Sequence, residues 1–507
     1  MGKNIFNSVQ LEKPKKNVFD LSHDVKMSMK MGNLTPVLVT ECVPGDSFQI
    51  GCDSLIRFAP MIAPVMHRMD VSVHYFFVPN RLTWDNWEKY IVDANTPNPL
   101  PYIDYTDDFT ADQKKFLDYM GVPPNTGTGI TQALNALPFA AYQAIYNEYY
   151  RDENLVTEVD YALEDGDNTG DTIDFIKMRQ RAWEHDYFTA ALPFAQKGTA
   201  VDIPIGVIDS DVAVNWNLLE TGADEIPAYS GGTFVANKNI GNSPGVSTTG
   251  NPDLIAKTSE LFIQPTTIND LRRAFRLQEW LEKNARGGTR YIENILMHFG
   301  VRSSDKRLQR PEYITGLKTP VIISEVLNTS ATAEEAQGTM AGHGVAVSTG
   351  KYGNYFCEEH GYIIGIMSVM PQPAYQQGIP KTYLKSDPLD FFWPSFAHIG
   401  EQPVTNNELY AYTATAEDTF GYVPRYAEYK YQPSRVAGEF RTDALNFWHL
   451  GRIFANQPAL NDTFIECTPD QCERIFAVQD GEDNLYCQIM HKIKAVRPMP
   501  KFGTPNF

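Results

Sequence analysis

What this 507-residue sequence has little of excludes several classes of protein. Six cysteines are too few for a disulfide framework at this length, so they are expected to be buried thiols. They are Cys42, Cys52, Cys357, Cys467, Cys472 and Cys487. No apolar run approaches the ~20 residues that span a bilayer, and residues 1–17 lack the apolar stretch of a secretory signal. The sequence therefore predicts a protein kept in the cytosol, without membrane insertion.

Positive charge is also scarce. Lys and Arg number 43 against 62 Asp and Glu, which gives a net charge of −19. This balance opposes general adhesion to polyanions, so any contact with nucleic acid must be local. A DNA-condensing role is excluded.

Aromatic and turn-forming residues are plentiful. The 26 Tyr and 28 Phe, with 33 Pro and 35 Gly spread along the chain, favour many short strands joined by turns. Strand-like patterns occur near both ends, at 36–43, at Asp70–Val78 and at 485–493. The sequence predicts a mainly β fold, a β-sandwich or jelly roll whose first and last strands pair.

The organisation along the chain follows from changes in composition. Residues 1–35 are basic and show little periodicity, which predicts an N-terminal arm, while 36–507 form a single domain with insertions. The insertion 80–195 combines acidic loops with two helical patches, 134–149 and 172–188. The polar segment 199–266 carries eight acids and two Lys between 202 and 260, and a long excursion of this kind is typical of recognition.

A basic helical insertion follows at 268–310. One helix is predicted from an N-cap at Asn269 to Gly287, and a second from a Thr289 cap to Gly300. The first helix carries Arg side chains whose simplest role is to pair with acids of adjacent copies. The predicted subunit-interface residues are Arg272, Arg273, Arg276 and Trp280.

Sequence signatures of catalysis are missing. No HExxH, GxSxG, Walker or GxGxxG sequence occurs, and Cys357 with His360 or Cys467 with Cys472 match zinc spacing poorly. Paired carboxylates are plentiful, and a jelly roll can hold a glycosidase pair, so a carbohydrate-binding protein or glycoside hydrolase is the alternative. Acidic loops could also hold a structural divalent cation. We predict no catalytic residue and no cofactor.

The C-terminal tail, 491–507, is basic and aromatic and contains no acid. This combination suits phosphate contact and base stacking, with weak, salt-sensitive binding that lacks sequence preference. A solvated tail, or a tail docked on a neighbouring subunit, is equally compatible with the pattern. The predicted DNA-facing residues are Lys13, Lys15, Lys16, Lys492, Lys494, Arg497 and Lys501.

Nine segments carry a resemblance to one family. The longest is LRRAFRLQEWLEKNARGGTRYIENILMHFGVRSSDKRLQRPEYI at 271–314. The others are 66–88, 191–198, 357–371, 375–381, 393–402, 431–441, 447–454 and 497–507. In these segments the sequence resembles the major capsid proteins of the Microviridae, small single-stranded DNA bacteriophages, in their gokushovirus branch.

The resemblance implies a viral jelly-roll β-barrel of eight strands with long helical and loop insertions. It implies self-assembly into a T=1 icosahedral shell around a circular single-stranded DNA genome, in virions assembled in the bacterial cytoplasm, with the termini inside. The segment 199–266 would form a protrusion for host attachment, with Asp209, Asp211, Tyr229, Phe234 and Asn239 placed there. Implied partners are a small basic DNA-binding protein, a DNA pilot protein, an internal scaffolding protein and a host receptor.

Overall fold

The computed structural model divides the chain into two compact units, Gln196–Arg286 and the remainder of the chain. The described residues are 14–93, 97–124, 129, 131–171, 175–199, 201, 215–218, 225–227, 254–256, 267–327, 340–350, 352–479 and 481–502. In these ranges, no helix is both long and apolar enough to cross a membrane.

Strands dominate the described residues. They are β1 (Asn17–Asp20), β2 (His23–Met29), β3 (Thr35–Cys42), β4 (Ser47–Phe58), β5 (Met69–Pro79), β6 (Tyr102–Tyr105), β7 (Gln132–Asn135), β8 (Asn215–Leu218), β9 (Glu225–Pro227), β10 (Leu254–Ala256), β11 (Glu312–Pro320), β12 (Ile322–Leu327), β13 (Met340–Ser348), β14 (Gly353–Phe356), β15 (Gly361–Pro371), β16 (Glu401–Thr405), β17 (Thr419–Pro424) and β18 (Leu485–Arg497).

The α-helices are fewer and mostly short. They are α1 (Trp87–Val92), α2 (Ala111–Tyr119), α3 (Leu137–Ile145), α4 (Ile268–Gly287), α5 (Tyr291–Phe299), α6 (Asn406–Leu409), α7 (Ala427–Lys430) and α8 (Asp462–Ile465).

Two antiparallel sheets form the body. A seven-stranded sheet has the order β1–β18–β4–β13–β12, with β2 also paired to β18 and β14 to β4. A four-stranded sheet has the order β11–β5–β15–β3. No strand pairing within the described ranges closes the two sheets into a barrel, so they form a sandwich. The predicted mainly β fold is confirmed, and the first strand, β1, pairs with the last, β18. The strand predicted at 36–43 is β3, which pairs with β15 instead.

The main core lies between the two sheets. Ile489 on β18 and Ile363 on β15 are fully buried there, and each such side chain contributes about 1.5–3 kcal/mol on burial. Buried His491 links the sheets, because its Nε2 donates to the Val37 carbonyl (2.9 Å) and its Nδ1 accepts from the Tyr75 hydroxyl (3.0 Å). Burial lowers the pKa of His491 to about 4, so the ring is neutral at pH 7.

A second core covers the other face of the four-stranded sheet. Phe76 on β5 and Ile364 on β15 point into it and meet α2 and α3. The rings of Phe116 and Tyr142 pack there at 5.0 Å between centroids. The insertion 80–195 therefore covers the second face of this sheet. As a result, every residue of β15 is buried.

The second predicted helix of this insertion is wrong over residues 177–188, which are not helical: two isolated bridges, at Gln180 and Ala182, and a turn that begins at 187 take its place. Their backbone is used by two neighbouring segments: Arg181 N donates to Gly32 O (2.7 Å), and Trp183 N donates to Ile465 O (2.9 Å). Hydrogen bonding to distant segments thus overrides the mixed helical pattern. The first patch is confirmed as α3, with Pro138 in its first turn, where a missing N–H is tolerated.

Both predicted helix caps are shifted by one or two residues, although the ends at Gly287 and Gly300 hold. Thr267, not Asn269, caps α4: its Oγ1 accepts from Asp270 N (3.2 Å). The Thr289 hydroxyl donates instead to Asn154 (3.0 Å), and α5 begins after Arg290.

Strands occupy much of the two predicted terminal segments. Residues 17–20 form β1, 23–29 form β2, and 491–497 are the end of β18. These stretches are not an irregular arm or tail, because their alternating apolar side chains complete the seven-stranded sheet, whereas residues 498–502 lie outside the strands.

Candidate nucleic-acid and subunit interfaces

The seven-stranded sheet has one face that the described chain leaves in solvent, and we call it the open face. Along β18 every second side chain is buried in the main core, and the others point away from it. Register fixes which residues share this face, because directly opposed residues point to the same side. It includes Tyr486 opposite Arg57, Gln488 opposite Leu55, Met490 opposite Asp53, and Lys494 opposite Gln49.

Basic residues on the open face alternate with acids. Lys492 forms an ion pair with Asp53, and Lys26 forms one with Asp24 (2.8 Å). Exposed Lys494 stands opposite Asp20, whose pKa is lowered by hydrogen bonds from Ser22 and by the charge of this lysine. A phosphate at Lys492 must therefore compete with a carboxylate.

Arg497 is engaged within the chain. Its Nη2 donates to Glu41 O (2.6 Å), and its Nε lies 3.3 Å from a carboxylate oxygen of buried Asp46. Its guanidinium also sits 5.4 Å from the ring centroid of Phe48. These contacts give Arg497 a role in holding the end of β18.

The two predicted basic segments are brought together by strand pairing. Asn17 on β1 is opposite Arg497, and its side-chain amide donates to Met499 O (2.6 Å). Lys16 donates to Gly45 O (2.6 Å), whereas Lys15 and Lys501 are exposed. Lys13 lies outside the described residues. Sequence reasoning named these lysines but could not place the two segments side by side.

Helix α4 presents the predicted interface residues. Arg272, Arg276 and Trp280 follow at i, i+4 and i+8, which places them on one helix face, and all three are exposed. Arg276 pairs with Glu279 on the same helix (2.5 Å). Arg273, the residue after Arg272, is also exposed. The helix therefore offers a basic surface with a large aromatic side chain.

The five predicted host-attachment residues lie outside the described residues. They are Asp209, Asp211, Tyr229, Phe234 and Asn239. Within the same unit, β8 pairs with β9 and β10 in a small antiparallel sheet.

A cleft of about 750 Å³ bears on the glycosidase alternative. It is lined by aromatic side chains and by two carboxylates, Glu408 and Glu428. Glu408 accepts from Tyr187 (2.8 Å) and pairs with Lys381 (3.1 Å), and Glu428 pairs with Lys385 (3.2 Å). Both carboxylates are thus neutralised by neighbours that fix the cleft wall.

The cysteines are buried thiols, as predicted. Cys467 and Cys472 lie with their sulfurs 3.7 Å apart, and burial raises the pKa of Cys487 to about 12. In the described part of the chain, no group of three or more His, Cys, Asp or Glu side chains is arranged to hold a metal ion.

Comparison with known proteins places the whole chain in one family. A family model described as Capsid protein (F protein) matches residues 7–507. Capsid protein VP1 of Chlamydia phage 1 is 34% identical over 99% of this chain and 98% of that protein. VP1 of Bdellovibrio phage phiMH2K is 38% identical over 96% and 94%, and VP1 of Spiroplasma virus 4 is 28% identical over the same shares. The chain therefore belongs to the capsid protein (F protein) family of the Microviridae, structural proteins of the phage virion that assemble with copies of themselves and are not enzymes.

Proposed function

We propose that this protein builds a T=1 icosahedral shell that encloses a circular single-stranded DNA genome. The observation that carries the proposal is the amount of large apolar surface that one copy leaves in solvent. Phe275 and Trp280 on α4, Phe299 on α5 and Val347 on the open face are each at least half exposed. Apolar surface of this extent is characteristic of sites covered by other chains, and a closed shell covers several faces of each copy.

The genome would meet the basic edge where β1 and the end of β18 lie together. Lys15, Lys494 and Lys501 are exposed there. Neighbouring acids limit the gain, so we expect each copy to neutralise few phosphates and to bind without sequence preference. The chain's net charge of −19 makes a separate small basic DNA-binding protein a plausible partner. The pilot and scaffolding proteins complete the proposed set of partners.

The segment 199–266, with Asp209, Asp211, Tyr229, Phe234 and Asn239, is proposed to face outward and to contact a host receptor. Deleting residues 209–255 should leave particles intact while abolishing their attachment to host cells. Loss of assembly in this deletion would contradict a purely external role.

The shell is tested by electron microscopy of the purified chain under assembly conditions. Uniform particles with T=1 symmetry are expected, and material that stays monomeric or dimeric would contradict the proposal. The DNA role is tested by changing Lys15, Lys494 and Lys501 to Gln. A plot of log affinity for single-stranded DNA against log salt concentration should become shallower. The magnitude of its slope should fall by about 2, at ~0.7 for each lost phosphate contact.

The matched control changes three exposed basic residues elsewhere, Arg68, Lys89 and Lys177, to Gln. Both variants lose the same net charge, so a general electrostatic effect would lower both slopes alike. A selective fall in the first variant, together with less packaged DNA at raised salt, supports the proposed genome-facing edge. Equal slopes in the two variants would contradict it.

A further inference from the structure

Residues 381–399, with 429–431 beside them, expose an unusual number of aromatic side chains. The loop contains three short 3-10 helices, Lys381–Tyr383, Pro388–Asp390 and Pro394–Phe396. Six aromatic side chains here are 45–77% exposed, and we call them the aromatic surface. They are Tyr383, Phe391, Phe392, Trp393, Tyr429 and Tyr431.

Contacts connect three members of the aromatic surface. The Phe392 and Tyr429 rings are 6.2 Å apart, and the Lys385 ammonium lies 4.0 Å from the Tyr429 ring and 5.4 Å from that of Phe391. Trp393 follows Phe392 directly in the chain, and Tyr383 and Tyr431 both line the 750 Å³ cleft. The aromatic surface thus consists of a central cluster around Lys385 and two tyrosines at the cleft.

A buried ion pair and a hydrogen bond within the loop hold this patch in place. The Lys385 and Glu428 side chains, 5% and 9% exposed, pair at 3.2 Å, and Trp393 Nε1 donates to Pro388 O (2.9 Å). Burial opposes the charge on Lys385, but hydrogen bonds to Tyr429 and Glu428 prevail and raise its pKa. A loop fixed in this way loses little conformational freedom when a partner binds.

The size of the patch indicates its partner. At about 200 Å² for a fully exposed aromatic side chain, the six exposed fractions amount to roughly 650 Å². This reaches the upper end of the ~300–600 Å² found for the largest apolar patch on a typical monomer and approaches the ~800 Å² that each partner buries in a standard interface. Trp and Tyr are also the side chains that most often dominate interface energies.

We propose that the aromatic surface is a contact between copies of this chain, in which a neighbouring copy covers Phe391, Phe392 and Trp393 and fills the adjoining cleft. The inference rests on assembly of the chain with itself. DNA is the poorer occupant, because Lys381 and Lys385 are already paired with carboxylates, while Asp387 is exposed beside the patch.

A thiol probe tests this contact directly. Because all six native cysteines are buried, Leu389→Cys, at a half-exposed position within the loop, introduces a uniquely reactive thiol. Maleimide should label the unassembled variant readily and its particles at least ten-fold more slowly, with the wild-type chain as the unlabelled control. Equal labelling rates before and after assembly would overturn the proposal.

A second variant tests the energetic role of the patch. Phe391→Ser with Trp393→Ser should reduce particle yield at least ten-fold while the melting temperature of the unassembled chain stays within about 3 °C. Tyr412→Ser, at an exposed tyrosine outside the patch, should retain particles. Normal assembly of the double variant, or equal loss in the control, would overturn the proposal. Failure of the wild-type chain to assemble would instead contradict the shell itself.

Discussion

The longest strands of the two sheets are similar in length but differ in burial. In β15 all eleven residues are buried, and in β5 only His74 is not. In β18, by contrast, buried and exposed residues alternate over most of its thirteen residues. The sequences match this difference, since GYIIGIMSVMP is apolar apart from Ser368, whereas LYCQIMHKIKAVR alternates between apolar and polar residues.

The cause is what lies on the second face of each sheet. Helices α2 and α3 cover the four-stranded sheet, so its strands gain apolar packing on both sides within one copy. The open face of the seven-stranded sheet has no comparable cover from the described chain, and it mixes charges with half-exposed apolar side chains such as Tyr486. The four-stranded sheet thus serves the stability of a single copy, and the open face is available to partners.

The largest expected effect comes from removing a side chain between the four-stranded sheet and α3. Ile364→Ala deletes buried methyl groups and leaves a cavity, which should lower the free energy of unfolding by about 3 kcal/mol. Met490→Ala on the open face is the matched control and should cost less than about 1 kcal/mol. Urea denaturation of the unassembled chain measures both. Equal losses would remove the distinction between the two sheets.

A pH-dependent effect is expected where the sheets meet. His491 binds a proton near pH 6.5 when unfolded but only near pH 4 when folded, because burial and, to a lesser degree, the charge of His23 disfavour the imidazolium. The unfolded chain takes up that proton first, so stability present above pH 6.5 falls by about 3 kcal/mol as the pH drops to 4.

The variant that isolates this effect is His491→Gln. It should lose stability at pH 7, since the links to Val37 and Tyr75 are altered, and its unfolding free energy should fall less steeply between pH 6.5 and 4. Burial also lowers the pKa values of His67 and His74 to about 4. These two histidines contribute the same pH dependence to the wild-type chain and to the variant, so the difference between the two slopes reports on His491. Denaturation curves at several pH values measure the slopes. Identical slopes would show that His491 is not the titrating link.

Local sequence patterns predicted the strands whose side chains alternate regularly between the two faces of a sheet. Alternation in 485–493 and in 70–78 predicted strands that are present as β18 and β5. Residues 177–188 were misjudged because their hydrogen-bond partners, near Gly32 and Ile465, lie over a hundred residues away in sequence. No periodicity within the segment carries that information.

The candidate sites show the same limit. Its charge alone predicted that Arg497 contacts DNA. In the fold, the Arg497 guanidinium instead lies beside the carboxylate of Asp46, 451 residues earlier in the chain. The aromatic surface, in turn, was missed although FFWP at 391–394 gives a signal, since three consecutive aromatic side chains cannot all point to one buried face. Composition thus identified which residue types matter, and only the register and packing decided which of them remain available.

The smallest expected effect, and the finest test of the comparison, is at Val347 on β13. This side chain is 64% exposed on the open face, opposite Leu55 of β4. Val347→Thr keeps the β-branched shape, so the free energy of unfolding of the unassembled chain should change by no more than about 0.5 kcal/mol. A loss above about 2 kcal/mol in a urea titration would mean that the single copy already buries this face, and the two sheets would then no longer differ in what they leave for partners.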